Sequence, residues 1–423
     1  MLKVIGGQKL SGVVEISGSK NASLPIIAAS LLLKRVTLNN VPRIGDVLTF
    51  LDIIKSLGVK VDFVGNTLKM DSTRMNMDDF KKELINKIRV GIFLLPSILQ
   101  KFSEINIPFP GGCNIGKRPI DEHIKGLVKL GYKNIEGDEK VHLSGKMDSG
   151  EKEIIIDWFS VTATENLIIA SVLRPGKTTL RLGAIEPHVI NLINFFNCAG
   201  AKITLEYDHS IIIEGVENLK DEIDFKICSD YIEAGTFMVL GALASEKYID
   251  IKNACIRDSK SFLSKLEEAG VKFEQTGTDE LRIYNSIENL KAVRFQTKVF
   301  PGLPTDLQSP LCVLLTQADG ISKVEEVIYE GRLNFLVEIE KMKGHPAILN
   351  PHEALIFGKT KLKGATVSSW DLRAGVAMII AGLVASGDTY ITNVEYIERG
   401  YEDIIGKIRK LGAVIEKVDN EEN

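Results

Sequence analysis

Leu57-Gly58-Val59-Lys60-Val61 is the phrase on which the fold turns. Before its glycine, Phe50, Leu51, Ile54 and Leu57 keep helical spacing; after it, Val59, Val61 and Phe63 alternate as in a strand. A glycine just past a helix supplies the left-handed backbone that lets the chain turn into the strand. The phrase returns as Leu130-Gly131-Tyr132, Ala199-Gly200-Ala201-Lys202-Ile203, Ala269-Gly270-Val271-Lys272-Phe273 and Leu411-Gly412-Ala413-Val414-Ile415, with a weaker copy at Lys343-Gly344-His345. The glycines lie 73, 69, 70, 74 and 68 residues apart, so six units account for the chain. A second, more apolar helix opens each unit, at residues 22–33, 90–99, 164–173, 234–243, 310 onward and 374–384. Helices apolar nearly all round belong at the centre of a domain. Solenoid repeats are usually about 20–50 residues long, so the longer period favours closed domains. The expectation is an α/β protein of two similar domains, each of three units with buried central helices.

Composition agrees. The 423 residues are 44% hydrophobic and 26% charged, which excludes disorder for the bulk of the chain and allows two or three domains. The net charge of −4 argues against a general nucleic-acid binder. No apolar stretch reaches the roughly 20 residues of a membrane span, and MLKVIGGQKL lacks the pattern of a signal peptide. Five widely spaced cysteines form no zinc or disulfide framework, and a reducing cytoplasm is the expected compartment. The six histidines form no metal pair.

Charge recurs in register with the repeat. Arg43, Arg118, Arg257, Arg332 and Arg399 each precede a repeat glycine by 12–15 residues, at the approach to the amphipathic helix. Glu186-Pro187-His188 takes that place in the third unit. An arginine there opposes the helix dipole unless a bound anion gathers both the arginine and the helix N–H groups. The other reading is an exposed arginine paired to a carboxylate such as Asp46, Asp121 or Asp258. The apolar helices also open on polar residues: Lys20-Asn21, Arg89, Ser160 with Thr164, Asp230 with Glu233, Thr305-Asp306, and Asp371 with Arg373. Thr162-Ala163-Thr164-Glu165 fits a capping box. Lys20 and Arg373 have no such local reason, so partners should await them.

The least ordinary segment is Pro108-Phe109-Pro110-Gly111-Gly112-Cys113-Asn114-Ile115-Gly116-Lys117-Arg118-Pro119. Gly111, Gly116 and Lys117 approach a phosphate-binding P-loop, but Arg118 stands where Ser or Thr should hold magnesium. It reads as a mobile loop. Cys198, Cys255 and Cys312 have apolar neighbours and read as inert core residues; Cys113, among glycines and beside Lys117 and Arg118, reads either so or as a reactive thiol.

Together these residues resemble the UDP-N-acetylglucosamine 1-carboxyvinyltransferases, a branch of the enolpyruvyl transferases, over the full chain. The motifs that carry the resemblance are Gly18-Ser19-Lys20-Asn21-Ala22, the loop from Pro110 to His123, Ile232-Glu233-Ala234-Gly235-Thr236-Phe237, Pro304-Thr305-Asp306-Leu307-Gln308, Asp371-Leu372-Arg373-Ala374 and Arg399-Gly400-Tyr401. The cysteine loop sets this branch apart from the 5-enolpyruvylshikimate-3-phosphate synthases, which share the architecture.

The resemblance implies two inverse α/β domains, residues 21–229 with the cysteine loop and residues 1–20 with 230–423, and an active site in the cleft between them. It implies transfer of the enolpyruvyl group of phosphoenolpyruvate to the 3-hydroxyl of UDP-N-acetylglucosamine with release of phosphate, the committed step of peptidoglycan precursor synthesis. No metal or organic cofactor, nucleic acid or membrane is implied, and the compartment is the bacterial cytoplasm. Oligomeric state stays open. Cys113 would protonate C3 of phosphoenolpyruvate and be the target of fosfomycin. Asp306 would take or fix the proton of the sugar hydroxyl. Lys20, Arg118 and Arg399 would grip the phosphate and carboxylate, with Arg332 and Arg373 nearby. Asn21, Pro119, Asp121, His123 and Ser160 would hold the sugar nucleotide, Arg89 would act electrostatically, and Glu233, Ile328 and Asp371 complete the substrate-binding set.

The chain departs from the family pattern at Thr162, where glycine is common, at Tyr231, where arginine is usual, and at Gly331, Asn334 and Phe335. A divergent paralogue, with another acceptor alcohol or a non-catalytic binding role, is the alternative.

Overall fold

In five of its six copies the repeat phrase turns as its glycine predicts. Gly58, Gly131, Gly200, Gly270 and Gly412 all adopt positive φ, from 76° to 110°. The weak copy differs: Lys343 takes the left-handed conformation, at φ 65°, one residue before the glycine. Gly344 is instead needed for close packing, since a Cβ there would lie 2.3 Å from Ile339 Cγ2. The computed structural model describes residues 1–87, 89–109, 111, 119–135 and 140–418.

These residues form two compact units, one of Met1–Ser17 with the residues from Ser229 onward, the other of residues between Gly18 and Cys228. Each has its own hydrophobic core. The handover therefore falls at Ser17/Gly18 and Cys228/Ser229, against the expected 20/21 and 229/230. Backbone pairing explains the shift on the N-terminal side. Ser19 N donates to Cys228 O at 2.8 Å, and the Ser19 hydroxyl caps the helix Lys20–Ser30 by accepting from Ala22 N. Lys20 thus belongs with the helix it opens.

In the unit between Gly18 and Cys228, the central helices are Lys20–Ser30, Leu94–Phe102 and Val161–Ser171, packed on one another. Their counterparts in the other unit are Tyr231–Ala244, Gln308–Leu315 and Leu372–Val384. All of Tyr231–Ala244 is buried, as an all-round apolar helix requires. The outer helices are Gly45–Ser56, Asp121–Lys129 and Pro187–Cys198, and in the second unit Lys260–Glu268, Leu336–Lys341 and Ile404–Lys410. The helix expected at 90–99 begins only at Leu94, after the 3-10 turns Lys82–Lys87 and Arg89–Phe93.

Five of the six sheets among the described residues follow one rule. The strand after the central helix pairs in parallel with a strand from outside its own repeat, then antiparallel with a further pair of strands, which is a hairpin in four of the five. Thus Arg35–Asn39 lies parallel to Glu222–Lys226, with Thr67–Asp71 and Lys60–Val64 beyond it. Likewise Ser245–Lys252 lies parallel to Leu10–Glu15, while Leu2–Ile5 sits between Asp388–Thr392 and Ile415–Lys417. The first 17 residues complete two sheets of the C-terminal unit, which is why they belong to it. The sixth sheet, of Glu104–Pro108, Lys140–Ser144 and Lys133–Asn134, has three strands among the described residues.

Candidate active site

Thr305–Leu307 is a single 3-10 turn that leads into the buried helix Gln308–Leu315. Leu307 anchors it against the helix Tyr231–Ala244, where a Cβ on Gly235 would lie 2.5 Å from Leu307 Cδ1. Asp306, beside that anchor, keeps a quarter of its side chain exposed. Arg332 Nη1 donates to Asp306 Oδ1 at 2.7 Å, and Arg373 Nε donates to Oδ2 at 3.0 Å. Both arginines are buried, and the Arg373 guanidinium lies 4.9 Å from the centre of the Tyr401 ring. Asp371 caps the helix Leu372–Val384 by accepting from Arg373 N and Ala374 N, which fixes where Arg373 starts.

Burial works against charge on Arg332, but Asp306 and Asp371 outweigh it, and the guanidinium stays above its ordinary pKa. Arg373 behaves alike, held up by Tyr401, Asp306 and Asp230 against burial. Arg373 Nη1 and Nη2 and Arg332 Nε are buried without hydrogen-bond partners among the described residues. Guanidinium hydrogens are costly to bury unpaired, and their planar fork matches a carboxylate or phosphate. The arrangement can fix a carboxylate as base and receive an anion beside it.

The other expected residues of this unit lie as follows. Both oxygens of Glu233 are engaged, one by Ser17 N at 3.0 Å and one by Lys407. Burial pushes this carboxyl up to about 7 although Lys407 pulls it down. Ile328, half-buried, donates its backbone N–H to Glu326. Arg399 caps the short helix Glu395–Glu398 at its C-terminal end, half-buried. Tyr231 is buried, edge-on to Phe300 with ring centres 6.4 Å apart, so packing occupies the place where the family usually has a cation.

In the other unit Lys20 opens its helix with Nζ 3.4 Å from Asp46 Oδ2, and the two side chains are only 13% and 5% exposed. The awaited partner is thus present, and its charge offsets the dipole that disfavours a lysine there. Asn21 is half-buried beside it. Asp121 is exposed at the first turn of Asp121–Lys129. His123, two residues on, is buried with both ring nitrogens engaged: Asn166 Nδ2 donates to Nδ1 at 2.8 Å, and Nε2 lies 3.1 Å from Thr162 Oγ1. His123 therefore braces its helix against Val161–Ser171, and the departure at Thr162 supplies one partner. Ser160 caps that helix by accepting from Ala163 N. Cys113 and Arg118 lie outside the described residues, as does the side chain of Arg89; Pro119 is exposed.

Several expectations need correction. The cap is Ser160 rather than Thr162, and Glu165 is buried instead of closing a capping box. Cys198 ends the helix Pro187–Cys198 on its outer side and is exposed, whereas Cys255 and Cys312 are buried. The repeated arginines diverge. Arg43 is exposed, stacked 4.4 Å from the Phe63 ring centre, and donates to Phe63 O and Gly65 O. Arg257 is exposed and acts on Asp258. Sequence reasoning also missed Asp46 as the partner of Lys20 and the fully buried Glu326. The signal for Glu326 was the second carboxylate of Glu325-Glu326, which stands on the inward side of the alternation Ser322, Val324, Glu326.

Residues 4–408 match the family described as EPSP synthase (3-phosphoshikimate 1-carboxyvinyltransferase). The chain is 40% identical over 423 residues to a UDP-N-acetylglucosamine 1-carboxyvinyltransferase of Prochlorococcus marinus, covering 99% of this chain and 91% of that protein. It is 38% identical over 424 residues to UDP-N-acetylglucosamine 1-carboxyvinyltransferase 2 of Bacillus subtilis, covering 100% and 98%. Its fold is that of the enolpyruvyl transferase NikO from Streptomyces tendae, with a TM-score of 0.89, 22% identity and 98% of each chain covered. EPSP synthase from Acinetobacter baumannii matches with a TM-score of 0.75, 16% identity and coverage of 99% and 100%. No helix among the described residues is long and apolar enough to cross a membrane.

Proposed function

We propose, for a chain that belongs to the EPSP synthase family of carboxyvinyltransferases, that it transfers the enolpyruvyl group of phosphoenolpyruvate to the 3-hydroxyl of UDP-N-acetylglucosamine and releases phosphate. The observation that carries the reading is Asp306 held by two buried arginines, with Arg373 Nη1 and Nη2 and Arg332 Nε lacking hydrogen-bond partners among the described residues. A base and a cationic seat side by side suit an acceptor hydroxyl and an anionic donor. The relatives' names supply the acceptor, and the cysteine loop supplies the acid.

Cys113 gives its proton to C3, and C2 becomes oxocarbenium-like. The 3-hydroxyl oxygen bonds to C2 as Asp306 takes its proton. The adduct then loses phosphate from C2 and gives a proton from C3 back to the Cys113 thiolate, restoring the double bond. Lys20, Arg118, Arg332, Arg373 and Arg399 offset the charge that two polyanions bring together. Asn21, Pro119, Asp121 and Ser160 hold the nucleotide, with His123 as brace and Arg89 acting electrostatically. The reading calls on no metal or organic cofactor. It places the protein in the bacterial cytoplasm, at the entry to cell-wall synthesis on which cell shape and division depend.

Phosphate release tests it, with UDP-N-acetylglucosamine and shikimate 3-phosphate each offered alongside phosphoenolpyruvate. Turnover of the sugar nucleotide alone is expected; turnover of shikimate 3-phosphate, or of neither, overturns the reading. Cys113→Ala should abolish turnover and keep nucleotide binding, and fosfomycin should add its mass to Cys113. Near-parental turnover in Cys113→Ala would remove the thiol from the chemistry.

A further inference from the structure

Behind Asp306 lies a second carboxylate that the proposed chemistry does not use. Glu326 follows the strand Gly320–Glu325 and is completely buried. Its backbone is pinned on both sides by His352: Glu326 N donates to His352 O, and His352 Nδ1 lies 2.7 Å from Glu326 O. Its side chain gathers four donors. Thr297 Oγ1 at 2.9 Å, Ile328 N at 2.8 Å and Tyr329 N at 3.2 Å converge on Oε1, while Thr305 Oγ1 lies 2.7 Å from Oε2.

The last contact reaches the site. A hydroxyl has one proton to give. Thr305 gives it to Glu326 Oε2, so only lone pairs remain for its other neighbour. That neighbour is Arg332 Nη1, 3.0 Å away, the same nitrogen that donates to Asp306 Oδ1. The run Glu326–Thr305–Arg332 therefore has a fixed direction, each member accepting from the next, and Arg332 Nη1 ends it by donating to Asp306 as well. Reversing the Thr305 hydroxyl would turn a proton toward a guanidinium that can only donate. Glu326 also holds the backbone of Ile328 and Tyr329, at the root of the segment that carries Arg332.

We propose that Glu326 is a positioning residue that acts through the Thr305 hydroxyl to seat Arg332 on Asp306, and so orients the base. The inference rests on the reading of Asp306 given above. The charged groups around this pair are Arg332 and Arg373 on Asp306, with Asp371 and Glu326 acting on Arg332 and Asp230 and Tyr401 on Arg373.

Thr305→Val cuts the relay and leaves Glu326 its three other donors. Glu326→Gln reverses it: the amide oxygen must face the three donors at Oε1, so its NH2 meets Thr305. Thr305→Ser restores it. Both disruptive variants should lower kcat by about tenfold or more with nucleotide binding retained, and the double variant should lose no more than either single one. Thr305→Ser should stay within about twofold of the parent. The acid limb of kcat should move to higher pH in Thr305→Val, because a carboxylate less closely held by a cation takes up its proton sooner. A merely structural role would lower the melting temperature and the active fraction but leave that limb in place, and this outcome overturns the proposal. If the parent itself fails to turn over the sugar nucleotide, the functional reading falls. Crystal structures of parent and Thr305→Val then decide the relay alone: Arg332 still bonded to Asp306 in the variant overturns it.

Discussion

The third and fifth repeats build the same corner in opposite ways. In each, the residue that leads into the outer helix meets a carboxylate carried near the start of the buried helix. In the fifth, Arg332 meets Asp306 at 2.7 Å, and Arg373 joins from the next repeat. In the third the arginine is replaced, and Glu186 acts on Glu165, another negative group, inside the core. Burial, with the charge of Glu186 adding to it, pushes the Glu165 carboxyl well above the usual carboxylate range. Glu165 Oε1 has no hydrogen-bond partner among the described residues. One scaffold thus yields a carboxylate held between two guanidiniums and a carboxyl whose pKa is raised by burial and a neighbouring negative charge. The residue at the approach to the outer helix decides which, and only the first kind can accept a proton during turnover.

Asp306→Asn strikes that contrast hardest. The amide keeps the size and one acceptor but removes the charge and the basicity. Turnover should fall at least about a hundredfold while both substrates still bind. From sequence alone, with Asp306 as a helix-start residue, the melting temperature should hardly change. Two buried guanidiniums that lose their shared counter-charge alter that expectation, and calorimetry should show a clear fall. A loss of tenfold or less in rate would leave Asp306 a structural ion-pair partner and the base elsewhere.

Glu165→Gln probes the other corner, with a smaller effect on stability and little on rate. A carboxyl whose folded pKa is raised binds its proton more tightly when folded than when unfolded. Stability is therefore present below the unfolded value, near 4.3, and is lost as pH rises through the folded value. Glutamine does not titrate. The parent's melting temperature should decline relative to the variant's by about 3 °C or more between roughly pH 5 and 8, and the two should converge at lower pH. Parallel curves over the whole range would mean that Glu165 is ionised in the fold and that the contrast is misdrawn.

Much of this was legible in the chain because backbone needs leave local marks. A glycine after an amphipathic run requires positive φ, and five of six copies obey; the sixth placed that strain on Lys343, which no local rule distinguishes. All-round apolar runs marked the six buried helices, and the polar residues at their starts marked Asp306 and Arg373. What stayed hidden were partners far apart in the chain. Asp46 stands 26 residues from Lys20, and Glu326 stands 21 from Thr305. Their pairing depends on how sheets and helices pack, which neither period nor spacing encodes. The capping-box pattern at Thr162 misled because the helix already begins at Val161, with Ser160 as its cap.

Arg43→Ala should have the smallest effect, and it tests whether an arginine at the helix approach is enough to make an anion seat. Arg43 has the same position in the first repeat as Arg332 in the fifth. Its guanidinium, however, is exposed over the Phe63 ring and donates to the carbonyls of Phe63 and Gly65, at the turn between the strands Lys60–Val64 and Thr67–Asp71. Arg332 differs in being buried, with Nε unpartnered among the described residues and a carboxylate in contact. An exposed cation–π contact and two hydrogen bonds open to solvent are worth about 1 kcal/mol together. Truncation should thus lower the melting temperature by a few degrees at most and leave kcat and both KM values within about twofold. If the KM for phosphoenolpyruvate instead rose about tenfold, Arg43 would rejoin the anion-binding arginines. The distinction between repeats would then rest on something other than burial and an awaiting carboxylate.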